Sequence, residues 1–279
     1  MSYKTVLAFL QQLEEEDRLL DVAFPVARSF GAHLTGFHAE PGASAFSTPA
    51  YYAQSRMRVQ TVDKHRDRME QMEARFRERA ARDDVSHEWR AIETGDIDTS
   101  DAIIASARCA DLVIAGQPDK EKHPGAMANV ERAIFEGGRP VLFVPWAARI
   151  PDSFDRVIVA WNGTREAARA AFDALPFLMA ARSVEVFTVD PKDGADQTAT
   201  LAGAEIAAAL ARHGVNVTIE TQLSGGIPAG DIIENRIADT QTDLLVMGAY
   251  SRSRLSERLF GGVTRTVLET MPCITLMSR

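Results

Sequence analysis

The chain contains an internal repeat, which restricts the architectures open to it before any single residue is interpreted. The first copy runs Gly95-Asp96-Ile97, Asp101-Ala102-Ile103-Ile104 and Asp111-Leu112-Val113-Ile114-Ala115-Gly116. The second runs Gly225-Gly226-Ile227, Asp231-Ile232-Ile233 and Asp243-Leu244-Leu245-Val246-Met247-Gly248. Both copies close on a further apolar strand, Arg139-Pro140-Val141-Leu142-Phe143-Val144 in one and Met271-Pro272-Cys273-Ile274-Thr275-Leu276 in the other. With 279 residues the chain can hold two ordinary domains, and the repeat places them at 1–147 and 153–279, joined by a connector that carries Pro151.

Hydrophobic periodicity gives the elements of each half. In the first, strands are predicted at Thr5–Leu10, His33–Ala39, Ser86–Glu93, Asp111–Ala115 and Val141–Val144. An amphipathic helix is predicted after the first strand, a charged helix over Ser55–Arg82, and shorter ones at Thr99–Ala107 and Glu131–Glu136. The second half predicts strands at Val157–Ala160, Val184–Val189, Val215–Leu223, Leu244–Met247 and Cys273–Met277. Its helices are Arg165–Met179, Leu201–Arg212, one opening near Pro228, and Gly261–Met271. Strands alternating with helices make right-handed β-α-β units. The predicted fold is α/β: two tandem Rossmann-like doubly wound domains, each with a five-stranded parallel sheet.

Composition narrows the partners. A net charge of −8 lacks the basic stripe of a nucleic-acid binder. No apolar run approaches the ~20 residues of a membrane span. The opening Met1-Ser2-Tyr3-Lys4 leads into no signal-peptide core, so a cytoplasmic protein is expected. The two cysteines, Cys109 and Cys273, read as free buried thiols. The six histidines show no helical metal spacing. There is no Gly-x-x-x-x-Gly-Lys-Ser/Thr and no Gly-x-Ser-x-Gly, which argues against a P-loop ATPase and a serine hydrolase.

Ligands on doubly wound sheets bind at the carboxyl ends of strands. In the second half that edge carries Trp161-Asn162-Gly163-Thr164, Val189-Asp190-Pro191, Ser224-Gly225-Gly226 and Gly248-Ala249-Tyr250-Ser251. After Gly248 comes a polar loop with Arg252, Arg254 and Arg258, and then Gly261-Gly262-Val263-Thr264 at a helix start. Glycines let backbone approach an anion, and a helix N-terminus offers unpaired N–H groups. Ser251 and Thr264 can add hydroxyl donors. The same segment also reads as a glycine-rich connection with no ligand.

This half resembles a universal stress protein domain. Nucleotide-binding members of that family carry Gly-x-x-Gly, nine residues, then Gly-Ser/Thr. Gly248, Ser251, Gly261 and Gly262 take the four places, with two of the identities changed. The first-strand signature Asp-Gly-Ser/Thr stands as Asn162-Gly163-Thr164. The resemblance covers both halves and implies ATP or a related adenine nucleotide, alone or with Mg2+. By the same resemblance, Asn162, Gly163 and Val189 face the nucleoside, Gly248, Ser251, Gly261, Gly262, Val263 and Thr264 surround the phosphates, Arg252 and Arg254 add charge from the loop, and Thr164 belongs to the same binding set. In the first half the positions matching Gly261 to Thr264 are Asn129, Val130, Glu131 and Arg132, and Asp119 stands where Ser251 does. No nucleotide is expected there.

Three functional readings follow. The leading one is a nucleotide-responsive stress or signalling module, with no catalytic residue identified and at most slow ATP hydrolysis. The second is a scaffold that binds no nucleotide and acts through protein contacts, including those of a homodimer. The third is an enzyme or carrier on the same fold, such as an adenylate-forming or flavin-binding relative, for which the first-strand motif is missing.

Overall fold

A computed structural model of the chain describes residues 2–46, 55–96, 98–117, 132, 136–191, 203–249 and 262–279. Contacts divide it into two compact units, Ser2–Arg139 and Pro140–Arg279.

The N-terminal unit holds β1 (Thr5–Phe9), β2 (His33–Pro41), β3 (His87–Thr94) and β4 (Leu112–Gly116) in the order β3-β2-β1-β4, all parallel. Its helices are Leu13–Phe30, Ser55–Ala80 and Ser100–Ala107. Strand β2 is buried along almost its whole length, as a parallel strand covered on both faces must be. Helix Leu13–Phe30 stops where Gly31 takes a left-handed conformation (φ 59°) and its N–H reaches back to Ala27 and Arg28 carbonyls. Helix Ser55–Ala80 seats Met72 and Phe76 with no exposed surface. The Phe76 ring lies against bare backbone at Gly36, where a Cβ would come within 2.7 Å of it. Phe24 and Trp89 complete this cluster, with ring centroids 5.6 and 5.4 Å from Phe76.

The C-terminal unit holds β5 (Val141–Val144), β6 (Arg156–Ala160), β7 (Ser183–Val189), β8 (Val217–Gln222), β9 (Leu244–Gly248) and β10 (Ile274–Ser278), in the order β5-β10-β9-β6-β7-β8. Strands β6 to β10 form the expected five parallel strands. Strand β5, which the repeat assigns to the first half, clusters with the second and runs antiparallel to β10, with Phe143 opposite Thr275 and Leu142 opposite Leu276.

Helix Arg165–Met179 is in fact two, Arg165–Asp173 and Leu175–Ala180. Pro176 has no N–H to return to the Phe172 carbonyl, so the ladder breaks at Ala174. Helix Ala204–Arg212 ends before Gly214 at φ 84°, as expected, and Pro228 stands at the N-cap of helix Ala229–Thr240. The last helix is Val263–Thr270.

The repeated aspartates have a common job. The Asp111 carboxylate accepts the N–H groups of Lys4 and Thr5 at 2.7 and 3.0 Å, while Asp243 accepts that of Arg156 at 2.8 Å. Asp111 thus staples the start of β4 to the start of β1, and Asp243 the start of β9 to the start of β6. Cys273 is buried, and burial pushes its thiol up to about 12. Cys109 is exposed, contrary to expectation, because it lies in the turn after helix Ser100–Ala107 and not on its inner face. Among the described residues no helix is long and apolar enough to cross a membrane.

Candidate functional site

In the C-terminal sheet the chain moves outward from β6 to β7 and β8, then returns to the other side of β6 with β9. The β6/β9 boundary is therefore the switch point, and the crevice at its carboxyl edge is where such sheets take ligands. Two candidate segments end there, Asn162-Gly163-Thr164 after β6 and Gly248 at the tip of β9.

The triplet after β6 forms a turn closed on itself. Asn162 Oδ1 accepts the Thr164 N–H (3.2 Å) and the Thr164 hydroxyl (2.7 Å), and Gly163 sits at φ 71° between them. Thr164 Oγ1 in turn accepts the Ala167 N–H at 3.3 Å and caps helix Arg165–Asp173. Two side-chain oxygens of the expected binding set thus serve the turn and the cap.

Gly248 is held by packing. A Cβ there would stand 2.5 Å from Ala167 N and 2.6 Å from Glu166 C, so the first turn of helix Arg165–Asp173 rests directly on the strand end. In the N-terminal unit a Cβ at Gly116 would stand 2.9 Å from Glu15 Oε2, the tip of a side chain that can swing aside, so only at Gly248 does main-chain packing require the glycine without a ligand. Glu166 in that turn is buried. Burial, the largest single influence, raises its carboxyl, but the hydrogen bonds from Arg165 and from its own main chain, with the charges of Arg165 and Arg279, together leave it below its ordinary value.

The phosphate end is different in kind. Helix Val263–Thr270 crosses from β9 back to parallel β10, so its N-terminus lies at the carboxyl edge. Its N-cap is Gly262, extended at φ −70° and ψ 142°, and no side chain caps it. The helix's first-turn amides have no capping oxygen from the N-cap residue, which is the arrangement an anion can use. Val263 is half-buried and Thr264 is buried. Ser251, Arg252 and Gly261, with the rest of the Tyr250–Phe260 loop, lie outside the described residues.

At the nucleoside end Val189 closes β7, half-buried, beside Trp161, whose N–H donates to the Phe187 carbonyl at 2.8 Å. The Trp161 ring packs at the strand end, with Cδ1 3.7 Å from where a Cβ on Gly203 would be. Two further residues bear on this edge. Asp190, left-handed at φ 45°, accepts the Ser224 N–H at 2.8 Å, and these Ser224 hydrogen bonds hold its carboxyl below the usual range. Thr188 is buried with its hydroxyl unpartnered among the described residues. The segments Val189-Asp190-Pro191 and Ser224-Gly225-Gly226 are visible in the sequence as edge loops. Their link is not, because it depends on β7 and β8 lying side by side.

In the N-terminal unit Arg132 stands at the position of Thr264. Its guanidinium is engaged by Asp98 (2.9 Å), Asp101 (2.6 Å) and Glu136 (3.2 Å). Three carboxylates on one cation leave it a poor phosphate ligand.

Duplicated doubly wound units define a class of tandem Rossmann-like α/β proteins. Residues 153–279 match the family described as the universal stress protein family. That segment belongs to the family, and the chain has the fold of a tandem member. Among curated proteins none matches the chain. A universal stress protein from Archaeoglobus fulgidus DSM 4304 is 16% identical, covering 98% of this chain and 96% of its own, with a TM-score of 0.72. One from Pseudomonas aeruginosa UCBPP-PA14 is 17% identical over 99% of this chain and 93% of its own, at 0.59. A universal stress protein solved in complex with cAMP is 18% identical over 46% of this chain and 98% of its own, at 0.36.

Proposed function

We propose that the C-terminal unit binds ATP or a related adenine nucleotide at the β6/β9 edge and that the protein acts as a nucleotide-responsive stress or signalling module. The observation that carries this is the start of helix Val263–Thr270, a glycine N-cap with no side-chain cap at a switch-point crevice. Family membership of the same segment supports it. In this reading the amides after Gly262 take the phosphates together with Gly261, Ser251 and Arg252, while the main chain at Val189 and the Trp161 ring meet the nucleoside. Mg2+ enters only as the phosphates' counter-ion, since no group of three His, Cys, Asp or Glu among the described residues could hold a metal. Neither nucleic acid nor a membrane is a partner in this reading.

The test is Gly262→Asp. An aspartate at an extended N-cap accepts its own helix's N–H groups and, relative to glycine there, typically adds about a few tenths of a kcal/mol of stability. It also brings a negative charge to the phosphate position. Calorimetry with ATP should show binding in the parent protein and none in Gly262→Asp, while thermal stability holds or rises. Unchanged affinity in the variant would place the nucleotide elsewhere.

The scaffold reading keeps one specific observation in its favour, the commitment of Asn162 Oδ1 and Thr164 Oγ1 to their own turn. Absence of any small molecule by mass spectrometry of the purified protein, joined to silent calorimetry, would decide for it.

A further inference from the structure

At the carboxyl end of β2, in the N-terminal unit, one buried carboxylate gathers three basic side chains. Glu40 accepts Arg68 Nε at 2.7 Å through Oε1, and the same oxygen lies 3.3 Å from His38 Nε2. Its other oxygen lies 3.5 Å from His65 Nδ1. His38 and Glu40 share one face of β2 with Gly36, the face on which helix Ser55–Ala80 lies. That helix supplies Arg68 and His65, so Glu40 is a point where it grips the sheet.

The two histidines differ in what they present to Glu40. His65 Nδ1 faces two acceptors, the Pro41 carbonyl at 3.2 Å and Glu40, and so carries hydrogen whether the ring is charged or neutral. His38 Nδ1 lies 2.6 Å from the Leu10 carbonyl, which can only accept, so the proton of a neutral His38 ring belongs on Nδ1. Nε2 then turns a lone pair toward the Glu40 carboxylate. Among the described residues no hydrogen bond satisfies this nitrogen, although the side chain is only 2% exposed.

We propose that His38 makes the seating of helix Ser55–Ala80 on the N-terminal sheet dependent on pH. With a proton on Nε2 the imidazolium donates to Glu40, and the carboxylate is held from three sides. Without it two acceptors face each other in a buried site, and the grip on the helix loosens. Besides Glu40, Arg68 and His65, the charged group near the pair is Glu93, opposite Glu40 in the β2–β3 ladder.

Glu16, on helix Leu13–Phe30, is pushed up to about 8 by burial, with Arg75 of the long helix acting on it, so its pH dependence overlaps the test and the measurements take Glu16→Gln as their parent protein. His87 rests its ring on Phe76 of the same long helix, with centroids 6.0 Å apart.

Hydrogen exchange on the full chain tests the proposal. As pH rises and His38 gives up its Nε2 proton, protection of the Asp63–Phe76 amides should fall roughly tenfold beyond the intrinsic rate change, the size of one buried charge-assisted hydrogen bond. In His38→Asn, which keeps a donor for the Leu10 carbonyl, the step should vanish. It should survive in His65→Gln and His87→Gln. Nitrogen NMR of the parent protein supplies a second readout, Nε2 of His38 losing its proton in step with the change in protection. A step retained in His38→Asn, or no step in the parent protein, would overturn the proposal, as would His38 losing its Nε2 proton with no change in protection.

Discussion

Glu16 shows how one side chain can set a pH dependence for a unit. It sits in the first turn of helix Leu13–Phe30 with 1% of its surface exposed and both carboxylate oxygens unpartnered among the described residues. Burial is the main cause of its raised value of about 8, with Arg75 pulling the other way and Asp17 adding to the rise. In the unfolded chain the group would titrate near 4.5. Because the folded value is the higher one, its favourable contribution is complete below about pH 4.5 and is lost as pH rises through about 8. The full span is on the order of 5 kcal/mol. Glu16→Gln carries no such charge. Denaturant titrations should therefore show the parent protein losing stability relative to the variant between pH 5 and pH 9, at about 1.4 kcal/mol per unit at the steepest. Parallel stability curves for the two proteins would refute the assignment.

At the scale of elements, the seating of helix Arg165–Asp173 on the tip of β9 is the tightest contact of the site. Gly248→Ala would drive a methyl into Ala167 N and Glu166 C, both main-chain atoms that cannot swing aside. Such overpacking costs typically 1–3 kcal/mol, and the Asn162-Gly163-Thr164 turn would shift with the helix it caps. Thermal unfolding should register the loss, whereas Gly262→Ala, at an ordinary extended φ, should cost only a few tenths to about 1 kcal/mol from the weaker cap. The sequence discloses these elements well, since a buried parallel strand such as Leu244–Gly248 is a plain apolar run and Gly214 is a plain stop. It also discloses that Gly248 matters, but a glycine kept for a ligand and one kept for a helix look alike in one dimension. Asn162 and Thr164 are misleading for a related reason: residue types that bind ribose also make turns and caps, and only geometry tells which task consumed the oxygens. Pro176 was readable as a break, yet the alanine-rich stretch around it reads as one continuous helix.

For the whole molecule, the ownership of Val141–Val144 decides what counts as a folding unit. In the sequence it is the last strand of the first repeat, and the family match begins beyond it at residue 153. In the structure its four residues are fully buried within Pro140–Arg279 and cover the outer edge of β10. A fragment of residues 153–279 would hold every residue of the family match and still leave β10 bare. That strand is buried along all five residues, Ile274–Ser278, so the exposed edge would be apolar and open to pairing. A fragment of 140–279 keeps the edge paired and ends the sheet on a strand of only four residues, a poorer template for association. Light scattering coupled to size-exclusion chromatography should find the shorter fragment dimeric or aggregated and the longer one markedly less so. Leu142→Asp in the longer fragment should reproduce the behaviour of the shorter one, because it buries a charge with no partner in the β5–β10 seam. If both fragments are equally monomeric and equally stable, β5 is dispensable to the C-terminal unit, and the repeat boundary read from the sequence is the physical one.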